Sequence, residues 1–251
     1  MFNSRPYGYK IPNRKDWFRI SAKESREGEV IGNIEIFDFI DPHFGINASE
    51  LTAQVRAMNV DRIHVSINSP GGDVFSGISL YGALKSHKAK ISTENLGLSA
   101  SIASVILMAG DEIFLHPQSM VMIHRAWAGA IGSASELRET ASILDKIDGQ
   151  LISIYSEKTK VDPIIIEGMM EKETWLTAPE AVEMNFGAIL EYETIKAKAA
   201  FDLSIYKNTP DLLKKITNED LLAKARSEED AKRSALQKDF LKRRIELAEY
   251  I

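Results

Sequence analysis

Cysteine is absent from all 251 residues. Its absence excludes disulfides, thiol nucleophiles and thiolate metal sites, and it is compatible with a reducing cytosol. Long apolar runs are missing as well. No stretch approaches the ~20 residues that a membrane-spanning helix needs, and the first ten residues lack the apolar centre of a secretory signal. The expectation is a cytoplasmic protein that engages no membrane. An excess of basic charge is also lacking: 31 Lys and Arg against 36 Asp and Glu leave a net charge of −5. Nothing in that balance favours nucleic acid or an anionic surface. None of the five histidines has a zinc-motif spacing, and no metal or cofactor is expected. Internal repeats and low-complexity tracts are not found.

What is present is the composition of a globular chain. Apolar residues make up 44%, enough to bury a sizeable core in one α/β domain with a tail. Residues 1–28 are polar and dotted with aromatics and read as a mobile arm. Regular structure is expected to start with the β-branched run 29–37. A helix capped by Asn47 or Ser49 then extends through Met58, with Leu51, Val55 and Met58 on one face. Strand 62–67, helix 74–86, strand 90–96, helix 101–109 and strand 112–115 follow. This alternation predicts a mainly parallel sheet covered by helices. From 133 to 158 an apolar stripe (Leu137, Ala141, Leu144, Ile147, Leu151, Ile154 and Tyr155) marks a long amphipathic helix, either core element or oligomerisation arm. Residues 207–251 lack glycine and carry dense charge of both signs, with Leu236, Phe240, Leu247 and Ile251 at helical spacing. The division expected is an arm at 1–28, a core domain at 29–205 and a charged helical tail at 206–251.

Three apolar runs end in residues that acyl-transfer chemistry needs. Asn68-Ser69-Pro70-Gly71-Gly72-Asp73 offers flexible backbone amides of the kind an oxyanion hole uses, or an ordinary strand-to-helix turn. Ser101 lies where an apolar strand meets an Ala/Ile/Val-rich helix. It is a candidate nucleophile, or simply a helix cap, the commoner use of serine there. Gly97-Leu98-Ser99-Ala100-Ser101 also approximates a nucleophile elbow centred on Ser99, so both serines stay open. His124 follows Met120-Val121-Met122-Ile123 at a strand's C-terminal end, where open α/β sheets place their sites. His43, His64, His87 and His116 occupy loop, strand or helix-end positions better suited to packing or solvent. Glu173, beside Trp175-Leu176-Thr177-Ala178-Pro179-Glu180-Ala181, is a candidate acid partner. Taken singly, it and Glu171, Asp145 and Asp148 read as solvated helix charges.

Asn68-Ser69-Pro70-Gly71-Gly72, Ser99-Ala100-Ser101, Met122-Ile123-His124 and Leu176-Thr177-Ala178-Pro179-Glu180-Ala181 resemble the successive signatures of the Clp-type serine peptidases, over residues 29–195. The resemblance implies a Clp/crotonase-like spiral of ββα units, with a mostly parallel sheet, a protruding long helix and the helical tail. It assigns the nucleophile to Ser101, the base to His124 and the acid to Glu173. By the same matching, Gly72 and Ile102 supply oxyanion amides, and substrate lies along the strand edge at Gly71 and Gly72. Rings or stacked rings of identical subunits acting on protein substrates are implied too. Two departures stand out. Housekeeping members usually carry Asp where Glu173 stands, and the arm and tail do not resemble those members' ATPase-docking parts. With 35–41 and 173–176, these features look closer to the phage head-maturation branch, which cleaves scaffold and capsid proteins in the host cytoplasm or prohead. Other expectations are a housekeeping Clp-like subunit fed by an ATPase, a crotonase-like acyl-CoA enzyme, and an inactive ring- or shell-forming protein.

Overall fold

A computed structural model describes residues 18–24, 28–41, 45–190 and 208. The chain divides into two units, Met1–Ala199 and Ala200–Ile251, and the fold below belongs to the first. The expected tail at 206–251 lies outside the described residues apart from Asn208, as do residues 1–17 and His43.

Fourteen elements follow in chain order: β1 (Phe18–Glu24), β2 (Val30–Ile36), α1 (Ala48–Ala57), β3 (Arg62–Ser69), α2 (Val74–Lys85), β4 (Lys90–Ala100), α3 (Ile102–Leu107), β5 (Glu112–Leu115), β6 (Met120–Ile123), α4 (Ala134–Thr159), α5 (Pro163–Glu171), β7 (Thr174–Thr177), α6 (Ala178–Glu183) and β8 (Ala188–Ile189). The strands form one sheet in the order β1-β2-β3-β4-β5-β8, with β6 pairing β4 and β7 pairing β6. Every pairing is parallel except β1–β2 and β6–β7. This is the expected mixed α/β architecture with a mostly parallel sheet.

One element contradicts the irregular reading of residues 1–28. Strand β1 pairs antiparallel with all of β2, from Phe18 opposite Ile36 to Glu24 opposite Val30. The alternation Phe18, Ile20, Ala22 is the relevant period-two signal, but so short a run becomes a strand only when a partner supplies the ladder. Similarly, β4 continues past 96 to Ala100, since it changes neighbours along its length: Ser92–Asn95 pair with β5 and Leu98–Ala100 with β6.

Local signals define several boundaries. Asn47 Oδ1 accepts from Glu50 N at 3.2 Å to start α1, and Asp73 Oδ1 accepts from Ser76 N at 2.8 Å to start α2. Burial alternates along β3, where Ile63, Val65 and Ile67 are fully buried between half-exposed Arg62, His64 and Ser66. Most of β4 is buried, as expected of a central strand. The stripe on α4 divides in two: Ile147, Leu151 and Tyr155 pack into the core and Leu144 is half-buried against it, whereas Leu137 and Ala141 are exposed, as is Ile143 beside the stripe. Among the described residues, no helix is long and apolar enough to cross a membrane.

Candidate active site

The glycine-rich loop is built side chain by side chain. The β3–β4 register shifts between Ile67 and Ser69, where Asn68 Oδ1 accepts the amide of Leu98 at 3.0 Å. Ser69 Oγ donates to Asp38 O at 2.7 Å and accepts from Gly71 N at 3.1 Å. Gly71 (φ 94°) and Gly72 (φ 149°) then take conformations that residues bearing a Cβ rarely adopt. A Cβ on Gly71 would also lie 2.8 Å from the Ser101 Cβ, so only glycine lets the loop close on that serine. Ile40 straps the loop down, donating to Gly71 O and accepting from Asp73 N. Those bonds use the groups on either side of the Gly72 amide. Among the described residues that amide has no backbone acceptor.

Strand ends bring the three candidate side chains together. Ala100 of β4 pairs with Met122 of β6, and Ser101 N donates to Met122 O at 2.9 Å. Strand β7 runs antiparallel to β6 with Ile123 opposite Thr174, so His124, just after β6, and Glu173, just before β7, stand at the same end of that ladder. Ser101 occupies the cap position of α3, yet its side chain caps nothing. Its Oγ lies 2.7 Å from His124 Nε2. The serine holds φ 54° and ψ −129°, a left-handed backbone costing about 1–3 kcal/mol unless its surroundings enforce it. Glu173 also has positive φ, at 50°, and its Oε1 accepts from Trp175 Nε1 at 3.3 Å.

Burial holds the His124 imidazole below its ordinary value of 6.5, and the nearby charges of Glu173 and then Asp148 oppose that shift. The ring is therefore neutral near pH 7 and able to accept a proton from Ser101, with acids at hand to stabilise the imidazolium. The rival Ser99 is fully buried on β4, and its Oγ has no hydrogen-bond partner among the described residues. The Ile102 amide opens α3 beside Ser101, where no intrahelical acceptor exists.

The other described histidines serve packing. His64 lies between Ser92 Oγ (3.0 Å) and Glu94 Oε2 (3.1 Å), His87 Nε2 meets Met58 O at 3.2 Å, and His116 is buried. Glu180 closes the start of α6 onto Thr177: its Oε2 accepts from Thr177 N at 2.8 Å and from Thr177 Oγ1 at 2.7 Å. The Leu-Thr-Ala-Pro-Glu-Ala segment thus fixes the end of β7.

Asp148 departs from the solvated reading. It is 3% exposed, accepts from Ala126 N at 2.8 Å and pairs with Arg125 Nη1 at 3.1 Å. Arg125 also binds Glu167 at 3.1 Å and Glu171, tying the residue after His124 to the helix that leads to Glu173. The available signal is Asp148's place inside the apolar stripe, between Leu144 and Leu151, where a carboxylate demands a buried partner. Ser104 and Tyr155, whose hydroxyls meet at 2.7 Å behind Ser101, carry no comparable mark in the sequence.

Comparison with known proteins agrees with this architecture. Residues 46–190 match the Clp protease family over more than half of the chain. An ATP-dependent Clp protease proteolytic subunit of Bacteroides thetaiotaomicron is 35% identical over 123 residues, 48% of this chain and 56% of that protein. One from Pleurastrum terricola is 36% identical over 119 residues, 47% of this chain and 61% of that protein. The match to those two spans little more than half of their own length. The ATP-dependent Clp protease proteolytic subunit 2 of Tropheryma whipplei is 30% identical over 147 residues, 55% of this chain and 81% of that protein. The chain belongs to the Clp protease family.

Proposed function

We propose that this chain is a Clp-type proteolytic subunit: a serine endopeptidase with Ser101 as nucleophile, His124 as general base and Glu173 as the acid. The observation that carries the reading is the 2.7 Å contact of Ser101 Oγ with His124 Nε2, supported by the β6–β7 ladder, at one end of which both His124 and Glu173 stand, and by the Glu173 charge felt at His124. Nε2 takes the hydroxyl proton as Oγ attacks a peptide carbonyl. The amides of Gly72 and Ile102 receive the oxyanion, His124 returns the proton to the departing amine, and water releases the acyl group.

The relatives' names, ATP-dependent Clp protease proteolytic subunit, support protein substrates and an ATP-driven partner; a cytoplasmic ring of identical subunits belongs to the same proposal. They favour that reading over the head-maturation branch expected from 35–41 and 173–176, which would direct the same chemistry at scaffold and capsid proteins. A crotonase-like activity is tested by offering acyl-CoA thioesters beside an unfolded protein; only the protein should be consumed.

The decisive experiment is labelling with a fluorophosphonate. The wild type and Ser99→Ala should label and cleave peptide, and Ser101→Ala should do neither. Loss of labelling in a folded Ser99→Ala alone would move the nucleophile. Glu173→Gln should keep the fold and lower kcat by roughly 10³–10⁴, since a neutral amide cannot stabilise the imidazolium.

A further inference from the structure

The strained backbone of Ser101 is held from both sides. Its amide donates to Met122 O at 2.9 Å, while its carbonyl accepts from Ser104 N at 2.9 Å and from Ser104 Oγ at 2.6 Å. Ser104 Oγ in turn lies 2.7 Å from the Tyr155 hydroxyl. Ser104 is fully buried and Tyr155 is 1% exposed, which keeps bulk water from standing in for either group.

The proton order in this chain is determined. Ser104 has a single hydroxyl proton. If it goes to the Ser101 carbonyl, Tyr155 donates to Ser104 Oγ and both protons are used. If it goes to Tyr155, the phenol proton is left without an acceptor among the described residues. Burial pushes the Tyr155 phenol above its usual 10.0, so the donor keeps its proton.

The Ser101 carbonyl belongs to the same planar peptide as the Ile102 N–H, and in a trans peptide the two point in opposite directions. Drawing the oxygen inward toward α3 and α4 therefore turns the amide outward, toward the side where Ser101 Oγ meets His124. Swinging this plane would misaim the amide and the nucleophile together.

We propose that Tyr155 and Ser104 are positioning residues for this site: the relay Tyr155 O–H to Ser104 O–H to Ser101 C=O fixes the 101–102 peptide plane and so aims the Ile102 oxyanion donor. This rests on the peptidase reading above. It also gives the buried half of α4 a direct connection to the chemistry, through one hydroxyl on a ring that otherwise packs against Phe186 at a centroid distance of 5.9 Å.

The test compares the full chain with Tyr155→Phe, Ser104→Ala and the double variant, at a temperature where circular dichroism shows all four folded. kcat and KM are measured on a fluorogenic unstructured peptide, alongside the fluorophosphonate labelling rate. Each single change should lower kcat and the labelling rate roughly tenfold, with KM and the acidic limb of the pH profile unmoved. The double variant should be no slower than Ser104→Ala, since a relay cut once is fully cut. A folded Tyr155→Phe with wild-type rates overturns the relay, as do losses that multiply in the double variant. A wild type that neither labels nor cleaves overturns the peptidase reading and this one with it. A reactive wild type with unaffected variants overturns this one alone.

Discussion

The two halves of α4 share one helix and one apolar stripe but have opposite surroundings. In the C-terminal half, Ile147, Asp148, Leu151, Tyr155 and Thr159 are buried. In the N-terminal half Leu137 and Ile143 stay exposed, as do Trp127 and Ile131 just before it. Periodicity is the same in both; what differs is what lies opposite. The C-terminal half meets α3 through the Tyr155–Ser104 hydroxyl pair and meets the segment after β6 through Asp148 and Arg125. A stripe shows which face of a helix is apolar, and only the partner shows what that face is for. Large exposed apolar side chains close together are a feature of association surfaces, and contact between copies through this half is put to the test below.

One substitution made in both halves tests this contrast most severely. Leu151→Glu buries an unpaired carboxylate where Leu151 is 4% exposed. It should cost more than about 4 kcal/mol, enough to abolish the thermal transition or lower it steeply. A folded, merely smaller particle in sedimentation would show instead that Leu151 belongs to an interface.

Asp148→Asn should have the next largest effect. It keeps an acceptor for Ala126 N but removes a charge that raises the His124 value. Two consequences follow: kcat falls roughly tenfold, and His124 titrates still lower. Because the neutral imidazole is the working form, the acidic limb of the kcat profile moves to lower pH. A limb moving to higher pH would contradict the assigned electrostatics.

Ile143→Glu, the counterpart in the exposed half, should leave stability within about 0.5 kcal/mol while shrinking the particle seen by sedimentation velocity. An unchanged particle would remove the exposed half from the interface. The smallest effect belongs to Glu171→Gln. That carboxylate is 63% exposed in its pair with Arg125, so its loss should change stability by less than about 1 kcal/mol and leave kcat nearly constant. A drop matching Glu173→Gln would mean that the wrong acid has been assigned.

Much of the fold is legible without coordinates, because the governing signals are local. The caps at Asn47 and Asp73, the β-branched runs of β2 and β3 and the periodicity of α4 each lie within a few residues of the element they define. Strand β1 is less legible, since its seven residues depend on a ladder supplied by β2. The site divides along the same line. Gly71 and Gly72 stand out because a glycine pair is a local backbone statement, and His124 and the Ser99/Ser101 pair stand out at the ends of apolar runs; Glu173, and the choice of Ser101 over Ser99, came only with the resemblance to the Clp-type peptidases. Asp148 is marked only by its place inside the apolar stripe, and its partner Arg125, 23 residues away, is not marked at all.

By itself the sequence determined the alternation of strands and helices, the glycine turn, the absence of thiol chemistry and a short set of side chains able to carry acyl transfer. These follow from composition and near-neighbour spacing, which a linear chain displays directly. Tertiary structure alone decided that β4 changes partner from β5 to β6, and that β7 returns antiparallel to β6 so that Glu173 and His124 stand at the same end of that ladder. It also decided that Ser99 is sealed inside while Ser101 Oγ reaches an imidazole, and that one helix buries half its stripe and exposes the rest. Each is a long-range pairing, set by which surfaces pack together, and packing partners far apart in the chain leave no periodic trace along it.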